Sequence, residues 1–435
     1  MDNYTYKYEE EFQYVSNACL NVTDACNLAC RYCFVEQNPH YMTFKVAKDA
    51  ADFLYNNLQK KIEMGVNKEN DKCSLTFFGG EPMLMYDKII VPLVEYIEDT
   101  YPNKFNFSMT TNGTLLNKES IDFCKKHDFG LLLSIDGDEY TQNCNRPCIN
   151  KEQKSFDLVS KNIPYLLENF PNITFRSTID QYTVEHTFEN YLFAISQGFK
   201  NIFMMPNGRE KWTEEAKEKF KIELDKIYRF MGLCFDNNTM PPINFSSINE
   251  SFKNILERDK AAIQYKDETE IEKLNRLSQV RNVKRCGLGT TGCSIGYNGN
   301  IYGCQEQASC GIDSIFYIGN IYSGIDINKH NALLFNYAHQ GLSICENKKM
   351  CENCILRINC YGHACPSSSQ DLFQNFNMDN EMHCLWFQHM CRNAAVLMKV
   401  FTDKNNNTFK EYLDNNCQFN KYFPNERGEK NGCKL

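Results

Sequence analysis

No stretch of this 435-residue chain approaches the roughly 18 consecutive apolar residues that a bilayer-spanning helix needs. A membrane protein is therefore not expected. The first residues, MDNYTYKYEEEFQY, are polar and acidic and contain no apolar run, so they do not read as a secretory signal. Basic residues are in the minority. The 47 Lys and Arg against 55 Asp and Glu give a formal net charge of −8. That balance leaves no footprint for nucleic acid. The cysteine-rich final third shows no internal repeat. These absences together point to a cytoplasmic protein.

What the chain has in excess is cysteine, 22 in all. In a reducing compartment clustered cysteines read as metal ligands before they read as disulfides. They are unevenly spread, with 13 of them from Cys286 onward. That asymmetry is the first sign of separate domains.

Between residues 16 and 235 short apolar runs alternate with amphipathic stretches. The strands are expected at Cys19–Thr23, Ser74–Phe78, Phe105–Thr110, Leu131–Ile135, Ile173–Ile179 and Ile202–Met205. The helices are expected near residues 50–58, and at Ile89–Thr100, Lys118–His127, Phe156–Asn169, His186–Gln197 and Glu214–Phe235. Ala50, Phe53, Leu54 and Leu58 recur on one helical face. Six strand–helix units in order predict a parallel α/β sheet curved into a partial (β/α)6, TIM-like barrel. Residues 237–249, with a double proline, read as a break, and Glu250–Val280 as a helical bridge. The expected division is therefore an extension at 1–15, a barrel at 16–236, a bridging region at 237–285, a cysteine-rich domain at 286–390, and a C-terminal helix and tail at 391–435. The Asn- and Lys-rich stretch beyond residue 402 is expected to be loosely ordered.

Unusual residues fall where strands end. Cys26, Cys30 and Cys33 follow the first strand with spacing C-x3-C-x2-C. GGEP (79–82) follows the second, TTNG (110–113) the third, and SIDG (134–137) closes the fourth. Parallel α/β folds bind ligands at the carboxyl ends of their strands, so four motifs converge on one mouth. Three thiolates can hold three irons of a 4Fe–4S cluster and leave one iron open. A partial zinc site is the other chemistry such a triad suits.

This set resembles the radical S-adenosylmethionine (SAM) superfamily. The resemblance implies that SAM's methionine chelates the open iron. The cluster then reduces the sulfonium and releases a hydrogen-abstracting 5′-deoxyadenosyl radical. It implies that Gly79, Gly80, Glu81 and Pro82 hold the methionine amino group and that Tyr32 lies beside the adenine. Thr111, Asn112, Ser134 and Asp136 would line the ribose and methionine, and Arg176 would pair with the SAM carboxylate. A flavodoxin or ferredoxin is the electron donor expected for this superfamily.

The final third resembles the SPASM domain of radical SAM enzymes that modify peptides. Twelve residues separate Cys286 from Gly299 and four separate Gly299 from Cys304; Cys351, Cys354, Cys360, Cys365 and Cys384 follow. The one departure lies between Cys360 and Cys365, where four residues stand in place of the family's three. The resemblance implies two auxiliary clusters. One would use Cys351, Cys354, Cys360 and Cys384. The other would use Cys286, Cys304 and Cys365, with a fourth position either open or filled by Cys293 or Cys310. A structural zinc ribbon is the plainer use of such pairs. Cys19, Cys73, Cys124, Cys144, Cys148 and Cys234 read as small buried hydrophobes, and His363 as a loop residue.

Two enzymatic readings compete. One is a maturase of a ribosomally made precursor peptide, forming a thioether or carbon–carbon cross-link or an epimerised centre. The other is an anaerobic sulfatase maturase making formylglycine. The sulfatase maturases resemble this chain but carry an aspartate directly after the cysteine here numbered Cys304. This chain has Gln305, an amide that cannot take up a proton at neutral pH. Glu306, on an extended segment, would point the other way. Gln142 and Asn143 also replace the family's His-Asp pair, while Arg146 remains. These departures favour the cross-linking or epimerising maturases. Only 25 residues precede Cys26, too few for the leader-binding domain many such maturases carry. The leader would then be bound by a separate protein, by the barrel and bridge surface with residues 237–285 as the candidate contact region, or not at all; a solvated helical bridge is the plainer reading of 237–285. A non-catalytic electron carrier or peptide binder is the reading of another class, and GGEP argues against it.

Overall fold

The computed structural model describes residues 8–269, 272, 286–308, 310–339, 354–356, 365–375 and 380–417. Six strands form where the alternation predicts them: β1 Asn17–Thr23, β2 Cys73–Gly79, β3 Phe105–Thr111, β4 Gly130–Ser134, β5 Thr174–Ile179 and β6 Asn201–Pro206. Further strands are β7 Asn244–Phe245, β8 Ser294–Ile295, β9 Asn300–Tyr302, β10 Tyr317–Asn320 and β11 Gly324–Ile325. The fold is α/β with parallel strands, as expected of a radical SAM-type barrel.

The chain divides into two compact units. The first comprises Met1–Ile135, Gln142–Ile173 and Gln279–Gln340. Its core runs β1–β2–β3–β4, all parallel. On the other side of β1 comes β8, also parallel, with Cys19 opposite Ser294. Then β9, β10 and β11 continue as an antiparallel meander. The start of the cysteine-rich region therefore extends the sheet of the first unit, and the compact units cut across the divisions expected at 236 and 286.

Period-2 burial explains the strands. Leu20, Val22, Leu75, Phe77, Phe107 and Met109 are buried on one face, while Cys19, Thr76 and Ser108 on the other are half-buried. Helix Phe44–Glu63 contributes Ala47, Ala50, Ala51, Leu54 and Leu58 to the core. Each fully buried leucine is worth about 1.5–3 kcal/mol. The Thr43 hydroxyl caps that helix by accepting from Val46 N at 3.3 Å, and Asn117 and Ser120 form a capping box on Lys118–Lys126.

Prolines account for two departures. The stretch expected as one helix at Phe156–Asn169 is split into Ser155–Ser160 and Ile163–Asn169, with Pro164 in the first turn of the second. A π-turn, Tyr86–Ile90, precedes helix Val91–Thr100, where Pro92 lacks the N–H that would continue the ladder backwards.

The second unit comprises Asp136–Thr141, Thr174–Ser278 and Gly341–Leu435. Here β5, β6 and β7 are parallel, with Asn201 opposite Asn244. The expected break at 237–249 thus contains a strand, and helix Ser246–Gln264 starts inside it. The long helices Glu214–Asp236 and Glu381–Asp403 pack in the same unit. The Tyr228 hydroxyl donates to Met390 O at 3.0 Å between them. The expectation of a loose tail beyond residue 402 is corrected for its first part: helix Asn407–Cys417 buries Phe409, Tyr412, Leu413 and Cys417, while residues 418–435 lie outside the described residues. Its apolar residues at i, i+3 and i+4 form one face that the Asn-rich composition masks.

Candidate active site

The first unit gathers the cysteine loop, GGEP and TTNG at the carboxyl ends of β1, β2 and β3. The two glycines explain how the first two meet. A Cβ on Gly79, whose φ is +133°, would stand 2.2 Å from Thr23 O. One on Gly80 would stand 2.2 Å from Ala25 O. With no side chains there, Gly80 N donates to Thr23 O and Glu81 N to Ala25 O, both at 2.9 Å. The glycines thus admit the backbone of the cysteine loop itself.

Glu81 is 1 % exposed and works as a clamp. Its Oε1 accepts from Met83 N at 3.0 Å and Thr111 Oγ1 at 2.8 Å, and its Oε2 accepts from Asn112 N at 2.8 Å. Burial pushes its carboxyl up to about 7, against the pull of those three donors. Pro82 opens the short helical turn that follows. Asn112 carries the link onward: its Nδ2 donates to Asn27 Oδ1 at 3.0 Å and lies 3.8 Å from Cys26 Sγ. Asn27 in turn donates to Thr114 Oγ1 at 2.8 Å.

Cys26 and Cys30 are half-buried and Cys33 is exposed. Burial, and next the Glu81 carboxyl, push the Cys26 thiol up to about 12. The loop is also held from a side that sequence reasoning missed. Ala29 N donates to Pro147 O at 2.8 Å, Arg31 N to Asn145 O at 3.0 Å, and Ile149 N to Asn27 O at 3.1 Å. Leu28 and Cys148 form an antiparallel bridge in the same ribbon. Arg146 lies over the Tyr32 ring at 5.3 Å. Arg146 itself was legible as the residue remaining after the altered pair, but not this contact.

Ser134 ends β4 in the first unit. Asp136 and Arg176 belong to the second unit. Asp136 Oδ1 accepts from Thr178 N at 3.0 Å. Arg176 donates to Thr178 Oγ1 at 2.8 Å and to Ser177 O at 3.2 Å, along its own strand.

Of the other cysteines, Cys286 is exposed and Cys304 half-buried, both in the first unit. Gly299, at φ +83°, makes the turn between β8 and β9. Cys293 is 1 % exposed, and burial pushes its thiol up to about 12. Cys310 Sγ donates to Gln307 Oε1 at 2.9 Å. Cys354, Cys365 and Cys384 are half-buried in the second unit, Cys384 on helix Glu381–Asp403. Cys351, Cys360 and His363 lie outside the described residues. Cys73, Cys124 and Cys148 are buried as expected, whereas Cys19, Cys144 and Cys234 are half-buried; Cys19 Sγ donates to Gln305 Oε1 at 2.8 Å. The expectation of an extended Glu306 is corrected: Gln305–Gln307 form a 3-10 turn, so strand alternation does not set its direction. The sequence QEQ carries no helix signal that would have shown this.

Among the described residues no three His, Cys, Asp or Glu side chains converge on a point that one metal ion could fill. Ligands of a cubane cluster each bind a different iron and need not converge. The donor set of the loop, three thiols and no carboxylate or imidazole, suits such a cluster.

Residues 20–195 match the Radical SAM superfamily. An uncharacterized protein of Methanocaldococcus jannaschii is 31% identical over 48% of this chain and 71% of its own length. A radical SAM cyclopropyl synthase of Paramaledivibacter caminithermalis is 27% identical over 41% of this chain. A cysteine-type anaerobic sulfatase-maturating enzyme of Clostridium novyi is 26% identical over 42% of this chain. These matches span only 38% and 48% of the two named enzymes. In structure, native anSMEcpe with bound AdoMet and Cp18Cys peptide has a TM-score of 0.61 at 19% identity, covering 89% of this chain and 99% of that one. At that identity the likeness shows the fold. Among the described residues no helix is long and apolar enough to cross a membrane.

Proposed function

Because the chain belongs to the radical SAM superfamily, whose cofactors are a 4Fe–4S cluster and SAM, we propose that it is a maturase of a ribosomally made peptide. It would form a thioether or carbon–carbon cross-link, or epimerise a centre. The coarser ground is firm: this is a radical SAM enzyme related to peptide modification and sulfatase maturation. The finer reading is carried by one observation, the neutral hydrogen bond between Gln305 and Cys19. It stands next to Cys304, where the sulfatase maturases place a carboxylate.

Cys26, Cys30 and Cys33 would hold the cluster, and Tyr32, Gly79–Pro82, Thr111, Asn112 and Ser134 of the same unit would surround SAM. When bound, the pair supplies a radical that abstracts a hydrogen atom from the substrate. The chain's own part is to hold that chemistry in place. Glu81 ties β2 to β3, the paired glycines dock β2 on the cysteine loop, and residues 145–149 brace the loop from outside. Auxiliary clusters on the SPASM cysteines Cys286, Cys304, Cys351, Cys354, Cys360, Cys365 and Cys384 belong to the same proposal. So do the flavodoxin or ferredoxin donor, a separate leader-binding protein and a cytoplasmic location.

The sulfatase-maturing alternative rests on the relatives that carry that name. The test is anaerobic release of 5′-deoxyadenosine from SAM by the reduced, reconstituted protein. Release is expected with a cysteine-containing precursor peptide and lost in the Cys26/Cys30/Cys33→Ala protein. Release by that triple variant at the wild-type rate would sink the proposal.

A further inference from the structure

Helix Ile327–His339 turns one face onto the start of the cysteine-rich region, within the first unit. His330, Leu333, Leu334 and Tyr337 recur at i, i+3, i+4 and i+7, and all four are buried. Three of them grip two glycine turns. His330 Nε2 donates to Gly289 O at 2.5 Å. A Cβ on Gly289, whose φ is +72°, would stand 2.9 Å from Leu334 Cδ2, and one on Gly303 would stand 2.3 Å from Leu333 Cδ2. Gly289 N donates to Gly303 O at 2.8 Å, so the two turns touch. Cys286 leads into the first turn and Cys304 directly follows the second. Cys286 is exposed and Cys304 half-buried, so neither is sealed from a cluster.

The donor set suits iron and sulfur. Burial pulls the His330 imidazole down to about 4, so it is neutral. Its Nε2–H is taken by Gly289 O, and Nδ1 accepts from the Tyr8 hydroxyl at 3.0 Å. His330 is thereby a brace and not a ligand, and the thiols remain.

The fourth residue of the face touches a thiol. Tyr337 Oη lies 3.7 Å from Cys286 Sγ. A cysteine that binds iron does so as a thiolate and has no proton to give. The contact then has one direction, from the Tyr337 hydroxyl to the sulfur. Such a bond favours whichever cluster state carries more negative charge, and hydrogen bonds to the sulfurs are one of the levers that set a cluster's potential. We infer that Tyr337 acts through Cys286 as a positioning residue, its hydroxyl donating to that sulfur and raising the reduction potential of the auxiliary cluster held there. The step it favours is uptake of one electron from a flavodoxin- or ferredoxin-class donor. No bond forms or breaks in that step, and no proton moves. The inference rests on the auxiliary-cluster reading above.

The test is a redox titration, followed by electron paramagnetic resonance, of the reconstituted full chain with Cys26, Cys30 and Cys33 replaced by Ala. Only auxiliary clusters then report. Cys286→Ala marks the signal that depends on Cys286. In the same background Tyr337→Phe should make that cluster about three- to tenfold harder to reduce, tenfold being a fall of about 59 mV for one electron, with iron content and any other signal unchanged. Placing 3-fluorotyrosine at position 337 keeps the shape and strengthens the donor, so it should shift the potential the other way. A purely structural role would not reverse sign with donor strength. An unchanged potential in the Tyr337→Phe protein, or shifts of one sign in both variants, would overturn the inference. Should Tyr337→Phe fail to fold, the fluorotyrosine protein decides alone, and a potential that does not rise overturns it. Failure of the auxiliary-cluster reading would look different and would sink the inference with it: Cys286→Ala would leave every signal intact, or the chain without its first triad would take up no iron.

Discussion

Glu81→Gln perturbs the one ionisable group that joins all three motifs of the first unit. Glu81 is buried, accepts three hydrogen bonds, and has its carboxyl raised from 4.5 to about 7. A raised acid favours the folded state while it is protonated. Its contribution is therefore complete below 4.5 and is lost as pH climbs through about 7. The whole span is worth on the order of 3 kcal/mol. Gln cannot titrate, and whichever way its amide turns it points an NH2 at a donor, Asn112 N on one side or Met83 N and Thr111 Oγ1 on the other. That mismatch costs about 1–3 kcal/mol at any pH. The stability gap between wild type and variant should thus be widest near about pH 5 and narrow by up to about 3 kcal/mol towards about pH 8. Urea unfolding across that range, in the absence of SAM, measures it. A gap that stays flat, or that widens as pH rises, would refute the assignment of Glu81 as a buried clamp whose burial outweighs its donors.

Three further outcomes are expected. Gly80→Ala puts a methyl 2.2 Å from Ala25 O, so it should break the two backbone bonds beneath the cysteine loop, lower iron incorporation several-fold and weaken SAM binding; metal analysis after reconstitution checks this. Arg146→Met removes the cation over Tyr32 and should cost about 0.5–2 kcal/mol of SAM affinity with the iron content unchanged, read by equilibrium dialysis. Phe409→Ala should destabilise the second unit by about 3–5 kcal/mol, because that ring packs on Phe235, Phe252 and Phe401; an unchanged urea midpoint would return residues 407–417 to a loose tail.

The strands were legible because alternation between Leu20-type and Cys19-type positions is a local signal, and so were the motifs at their ends. The breaks at Pro92 and Pro164 were written plainly in the sequence and passed over. Other features depend on contacts between distant residues, which no window of sequence displays. The parallel pairing of β8 on β1, across some 270 residues, is one. The ribbon from Asn145 to Ile149 that braces the cysteine loop is another. The Gln305 departure was visible, but not the thiol that turns its amide.

The most direct test is the mass of a short cysteine-containing peptide after co-expression with this protein. Loss of two hydrogens for each bond formed, or an unchanged mass that gains deuterium in heavy water, is the result expected of a cross-linking or epimerising maturase. A peptide left unchanged in mass and label, while a sulfatase-derived peptide gains an aldehyde, would contradict the account.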